Sequence, residues 1–425
     1  MIKVGVLFIF LATLSAGLFL WNLPPRTVAI LLVENGEAVP QVLADGEEPL
    51  SLPEISEVDG DNIYGEDIPP KIQDSERQKP LSKPPRDIKG VYVTNWSAGS
   101  SRISSLIEFI ERNKLNAVVV DIKDYSGYVG YITDVPEVKK YRAEEARIRE
   151  IHRLIKTLHD KGIYVIGRIA VFQDQQLIRA RPDLVIKSKS SGKAWRDRKG
   201  LGWVDPASKE VWDYTIAIAR DALSRGFDEL NFDYIRFPSD GNIEDLDYPI
   251  WDGTVSKSET MRRFFDYLRR NLEGAVISAD IFGQALVAED DLGIGQRYED
   301  FLSYFDYLSP MVYPSHFREG FLGYKNPAEH PYEVVEYAMK QALERLEKFR
   351  IRGDNMNQTS SVSSAGSENV PSLAVLRPWL QVFDLGAIYD AEKVMAQIRA
   401  WESAGGRGSG YLLWSPSNVY VDLVQ

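Results

Sequence analysis

The chain has 425 residues, 44% of them apolar, so it can bury a large core, and its formal net charge of −12 argues against a nucleic-acid partner. Cysteine is absent, which excludes disulfides, a thiolate nucleophile and a cysteine metal site. The charge is unevenly placed. Between Glu34 and Asp87 there are 14 acidic and 5 basic residues, so nine of the twelve excess negative charges fall there and say little about a ligand of the remainder.

Lys3 is followed by an apolar run, Val4–Trp21, of 18 residues, close to the minimum for a bilayer-spanning helix. Residues 1–26 are expected to be a signal anchor or a signal peptide. The anchor suits the length better, because Ser15-Ala16-Gly17 is a poor cleavage site. Either reading puts the rest outside the cytoplasm, as a single-pass cell-membrane protein with an extracellular catalytic domain or as a secreted one. Residues 27–86 are rich in Pro and carboxylates. They cannot offset their chain entropy by burial, so a disordered acidic linker is expected.

From 87 to 425 the chain alternates. Strand-like runs are Lys89–Asn95, Ala117–Lys123, Tyr164–Phe172, Glu229–Tyr234, Val276–Phe282, Tyr307–Tyr313, Trp379–Phe383 and Gly410–Trp414. Helical patterns lie between them at Ser104–Asn113, Ala146–Lys161, Ser208–Arg225, Ser258–Leu272, Gln296–Tyr304, Tyr332–Arg350 and Ala391–Ala404. Gly162 and Gly226 stand where helices 2 and 3 should end. Eight strands alternating with helices predict a (β/α)8 TIM barrel, and the glycine fingerprint of a dinucleotide fold is missing after the first strand. A low-complexity insertion is expected at 353–372.

Barrel chemistry sits at the C-terminal ends of the strands. In order these offer Asn95 and Trp96; Asp121, Lys123 and Asp124; Arg168 and Gln173; Asp233 and Arg236; Asp280 and Gln284; Tyr313 and His316; Asp384; and Trp414. The set is rich in carboxylates and aromatics. It has no H-x-H or H-E-x-x-H metal pattern and no G-x-S-x-G elbow, so no metal and no cofactor are expected. Glycoside hydrolysis needs two carboxyl groups flanking the scissile bond. Asp233 and Asp280 end consecutive strands, which lie about 4.8 Å apart in a sheet. Arg236 beside Asp233 would favour its ionised form, and Ala279 and Ile281 around Asp280 would favour a retained proton. The expected catalytic pair is therefore Asp233 as nucleophile or base and Asp280 as acid. Substrate contacts are expected from Trp96, Asp121, Lys123, Arg168, Arg236, Tyr313, Asp384 and Trp414. Plainer readings stand beside these: Asp121 and Asp124 can pair with Lys123, Asp384 can shape a turn, and the tryptophans can be core.

Four motifs in order, KGVYVTNW (Lys89–Trp96), FDELNFDYIRFP (Phe227–Pro238), SADIFG (Ser278–Gly283) and SPMVYPSH (Ser309–His316), resemble a family of bacterial barrel proteins classed as glycoside hydrolases. The resemblance spans Asp87 to Tyr420. That family is distantly similar to α-amylase-like barrels, whose nucleophile is an Asp after strand 4 and whose proton donor is a carboxylic acid after strand 5. The resemblance implies those roles for Asp233 and Asp280, and a third carboxylate near Asp384. It departs at two positions, Asn231 where the amylases have Arg and Asp280 where they have Glu. A second resemblance, to chitinase-type barrels with a D-x-x-D-x-D-x-E strand, touches Asp228, Asn231 and Asp233, but Ile235 occupies the place of the acid and cannot donate a proton. The expected function is hydrolysis of an extracellular or cell-wall polysaccharide, with the membrane as a second partner through the N-terminal run. The alternative is a non-catalytic glycan-binding barrel.

Overall fold

The computed structural model describes residues 29–34, 37–42, 74–359 and 373–423. Ala29–Glu34 and Glu37–Val42 pair as an antiparallel hairpin inside the span read from composition as a linker. The apolar run Val4–Trp21 lies outside the described residues, and no helix among them is long and apolar enough to cross a membrane.

Eight parallel strands form a closed barrel: β1 Lys89–Val93, β2 Ala117–Lys123, β3 Tyr164–Ala170, β4 Glu229–Asp233, β5 Ile277–Phe282, β6 Tyr307–Met311, β7 Trp379–Gln381 and β8 Tyr411–Trp414. Each pairs with the next, and β8 closes on β1 with Tyr411 opposite Lys89. The outer helices are α1 Arg102–Arg112, α2 Ile151–Asp160, α3 Lys209–Arg225, α4 Lys257–Asn271, α5 Pro331–Thr359 and α6 Ala391–Trp401. Alternation along each strand sends one set of side chains, such as Leu230, Phe232 and Ile281, into the layer beneath the helices. The other set, including Tyr92, Val119, Ile166, Trp379 and Leu412, fills the barrel interior.

Three boundaries differ from the sequence reading. The helical pattern at Gln296–Tyr304 is only a 3₁₀ turn, Tyr298–Asp300. Helix α2 starts at Ile151 rather than Ala146, because Arg147 is drawn out to pair with Asp124 at 2.7 Å. Helix α5 runs on to Thr359, into the segment expected as an insertion, while residues 360–372 lie outside the described residues.

Residues 74–86, expected to belong to a disordered linker, instead dock on the barrel. Asp74 accepts hydrogen bonds from the backbone N–H groups of His152 and Arg153, both at 3.0 Å, and so satisfies free donors at the start of α2. Leu81 N donates to Asp228 at 2.6 Å, and His159 Nε2 lies 2.9 Å from the same carboxylate. Asp228, the first polar residue of the FDELNFDYIRFP motif, thus anchors this segment below the barrel. Gly226 ends α3 at φ +105°, where a β-carbon would stand 2.7 Å from the backbone of Gln78 in the docked segment.

Deep in the barrel, Arg377 and Glu229 form a fully buried bidentate pair, with the guanidinium 4.2 Å from the ring of Tyr307. Removing one partner leaves the other as an uncompensated buried charge. Glu229→Ala is therefore expected to lower unfolding free energy by about 3–5 kcal/mol. Urea denaturation measures this, and a loss below 1 kcal/mol would mean the pair is dispensable.

Candidate active site

The interior column turns polar at the C-terminal mouth. Arg168, an inward residue of β3 two positions before its end and 5% exposed, is its centre. It donates from Nη1 to Asp121 Oδ1 at 2.6 Å and from Nη2 to Asp233 Oδ2 at 2.5 Å, and its Nε lies 3.9 Å from Asp280 Oδ2. The guanidinium is 5.6 Å from the ring of Tyr92 and 5.1 Å from that of Trp414, which stack on each other at 3.9 Å. Tyr92 Oη in turn donates to Asp121 Oδ2 at 2.5 Å. One cation thus serves three carboxylates from β2, β4 and β5.

Asp233 is aimed by its neighbours. Tyr234, immediately after it, takes φ +52°, a conformation that a bulky residue adopts only at some cost and that concentrates at functional sites. Its N–H donates to Asp233 Oδ1 at 2.6 Å. Asp280 lies one strand over, continuing the register that sets Phe232 opposite Ala279. Its Oδ1 accepts from Asn231 Nδ2 at 2.9 Å and from the Trp379 indole N–H at 2.8 Å. Burial, reinforced by the charge on Asp233, raises the Asp280 carboxyl to about 8, so it holds a proton at neutral pH. With Oδ1 engaged as an acceptor, Oδ2 is the natural carrier of that proton. Asp121 is likewise pushed up, chiefly by burial. Tyr313 is buried close enough to Asp280 and Asp233 for both charges to add to the burial that holds its hydroxyl protonated.

A family model described as "Putative glycosyl hydrolase domain" matches residues 90–420. The chain belongs to that family. Solved structures similar to it include a hypothetical protein from Ruminiclostridium thermocellum (38% identity, 48% of this chain and 98% of that one, TM-score 0.42). They also include the α-galactosidase of Thermus thermophilus in complex with p-nitrophenyl α-D-galactopyranoside (14% identity, 81% and 60%, TM-score 0.46). A third is a maltogenic α-amylase from Thermotoga neapolitana (14% identity, 61% and 55%, TM-score 0.35). The chain thus spans 60% of the galactosidase's length. No curated protein matches it.

Within this family barrel the structure brings together six of the residues expected from sequence: Asp121, Arg168, Asp233, Asp280, Tyr313 and Trp414. Others are placed elsewhere. Lys123 does not reach the mouth. The β2–β3 register shifts between Asp121 and Lys123, which turns Lys123 toward the helical layer. There it pairs with Asp174 at 2.6 Å, almost fully buried, with Tyr214 of α3 close by. Asp384 is exposed in a turn and accepts from Tyr389 N at 2.7 Å, so it is not a third carboxylate beside the pair. Trp96, three residues past the end of β1, is 58% exposed and rests on the Arg147 guanidinium at 4.7 Å, and its ring stacks on no member of the Arg168 cluster. Arg236 makes no ion pair with Asp233, so the cation beside that carboxylate is Arg168 instead.

Sequence reasoning missed Tyr92 and Trp379, whose hydroxyl and indole N–H hold Asp121 and Asp280. Both sit inside apolar runs and read as core. Inward parity from Asp280 and Arg168 was the signal available for them. Among the described residues no group of three or more His, Cys, Asp or Glu is placed to hold a metal ion. Two shallow clefts lie elsewhere. One of about 500 Å³, lined by residues such as Tyr248, Trp251 and Lys257, is made by loop residues after β3 and β4. It holds none of the clustered carboxylates, so the charge arrangement at Arg168 is the better guide to chemistry.

Proposed function

We propose that this barrel is a glycoside hydrolase working through Asp233 and Asp280. The observation that carries the reading is the division of labour between two neighbouring carboxyls, one ion-paired with Arg168 and the other holding a proton. In that chemistry Asp280 gives its proton to the glycosidic oxygen as the bond from the anomeric carbon breaks. Asp233 either attacks that carbon, to be displaced later by water, or takes a proton from a water that adds there directly. Both routes consume one water and yield two sugar ends; in the first the water's proton goes to Asp280, and in the second it goes to Asp233 and exchange with solvent then restores the proton on Asp280. Half-buried Trp414 at the mouth and Trp96 on its rim offer ring surface on which sugars stack. We take the substrate to be an extracellular or cell-wall polysaccharide and the protein to be exported, on the strength of the apolar run Val4–Trp21 and the acidic stretch that follows it.

One observation favours a second reading. Asp280 is only 1% exposed, and Asp233 8%, so the barrel as it stands nearly seals its acid. A mouth that binds glycan without cleaving it is compatible with that seal. Incubating the full chain with a panel of bacterial and plant polysaccharides, and measuring new reducing ends, separates the two. Release from one polymer that is lost in Asp233→Asn and in Asp280→Asn is the expected result. Retention of a polymer with no release, unchanged by Asp233→Asn, would replace the hydrolase with the binding barrel.

A further inference from the structure

Arg236 is a buried cation that the proposed chemistry does not use. It stands three residues past Asp233 and is 7% exposed. Its guanidinium lies 4.7 Å from the ring of Trp203 and 4.6 Å from that of Phe282, with Tyr234 at 5.5 Å. Phe282 is two residues beyond Asp280 on β5, so it shares the inward face one layer nearer the mouth. Arg236 therefore rests at the rim directly above the carboxylate pair.

Its bonding is incomplete. Nη1 donates to Phe237 O and to Ser239 Oγ, both at 3.1 Å, and the Nε and Nη2 donors have no acceptor among the described residues. Nor does any carboxylate there come within ion-pair distance. The three whose charge it feels are Asp233, Asp240 and Asp197, and each is engaged elsewhere. Asp233 is held by Arg168 at 2.5 Å. Asp197 accepts from Trp203 Nε1, from Gln173 Nε2 and from two backbone amides. Asp240 accepts from Arg198 N at 3.1 Å. Beside this cluster, Gln173 Oε1 is buried with no partner of its own. A buried guanidinium is ordinarily matched by an anion, because aromatic faces offset only part of the cost of desolvating it.

We propose that Arg236 is an anion-binding subsite, and that the glycan entering this mouth carries sugar carboxylates, as a uronic-acid polymer does. The inference rests on the hydrolase reading for the mouth's role but names the substrate class. A carboxylate gripped by the open Nε and Nη2 edge would make the paired, charge-assisted contact for which a planar guanidinium is shaped.

Affinity electrophoresis of the full chain through gels holding polygalacturonate, alginate or hyaluronan, each beside its carboxyl-reduced form, tests this. Asp280→Asn is the background, since it blocks turnover and, unlike Asp233, does not number among the charges facing Arg236. At least one native polymer should retard the protein at least about tenfold more strongly than its reduced form. Arg236→Met, which keeps the stem packed between Trp203 and Phe282, should abolish the difference, and Arg236→Lys should keep part of it. Equal retardation by native and reduced forms of every polymer overturns the proposal without need of any Arg236 variant, and so does a difference that survives Arg236→Met. Arg236-dependent binding, with no release of reducing ends from any polymer by the parent chain whose Asp280 is intact, would sink the hydrolase and leave the subsite standing. Cleavage confined to neutral polymers would do the reverse.

Discussion

Asp233→Asn is expected to lower turnover of a responsive glycan by on the order of 10⁴-fold or more, the scale on which enzymes lose rate when a nucleophile or its base is removed. The fold should survive. Asparagine keeps an oxygen that can accept from Arg168 Nη2 or from Tyr234 N, both at present bound to the carboxylate at 2.5–2.6 Å. What is lost is the charge, and with it either the attack on the anomeric carbon or the activation of water. The substitution also leaves Arg168 with Asp121 as its one close ion-pair partner, so a modest loss of stability is expected alongside the loss of rate. Single-turnover kinetics beside thermal melting separates these effects. A variant that melts within a few degrees of the parent and retains a tenth of its rate would show that Asp233 does no chemistry.

The fold was legible because its signal repeats. Seven-residue runs such as AVVVDIK and YVIGRIA, separated by amphipathic stretches with glycines behind them, admit few arrangements other than a barrel, and the strands fall within two residues of where the pattern put them. The ends of helices were less legible, since tertiary contacts decide them. Arg147 leaves its helix for Asp124, and the 3₁₀ turn at Tyr298 replaces a helix that the pattern of apolar residues would have allowed.

The candidate site was legible at the level of carboxylates and obscure at the level of their partners. Strand parity places Asp121, Asp233 and Asp280 on the inner face, but a pairing across the barrel depends on the reach of long side chains. Arg236 stands next to Asp233 in sequence, whereas Arg168 lies on the neighbouring strand and reaches it. Lys123 shares apparent parity with Asp121, and only the bulge between them sends it to Asp174. A bulge adds a residue without leaving a mark in an apolar run, so nothing in the local composition gives it away.

Asp280 should make both stability and activity decline as pH rises, stability up to about pH 8 and activity beyond it. Its carboxyl is raised to about 8 in the folded chain by burial and by the charge on Asp233, against an ordinary value of 3.8. The proton-donating form therefore persists to about pH 8. Beyond it, turnover of glycosides with poor leaving groups should fall roughly tenfold per pH unit. Asp280→Asn should cost such substrates about 10²–10⁴-fold and cost an activated aryl glycoside much less, since that leaving group departs without a proton. For stability, the folded state binds a proton between pH 4 and 8 that the unfolded state has released, so the contribution of this group is complete below pH 4 and is lost as pH rises through 8. Relative to the parent, Asp280→Asn should therefore gain stability with rising pH across that window and level off above it. Asp233→Asn removes the neighbouring charge, so the window in that variant should close at a lower pH. Urea unfolding of all three chains at intervals from pH 4 to 9 measures the differences directly. Parallel curves for the parent and Asp280→Asn would mean that Asp280 ionises alike in the folded and unfolded chain, and the assignment of the proton donor would go with it.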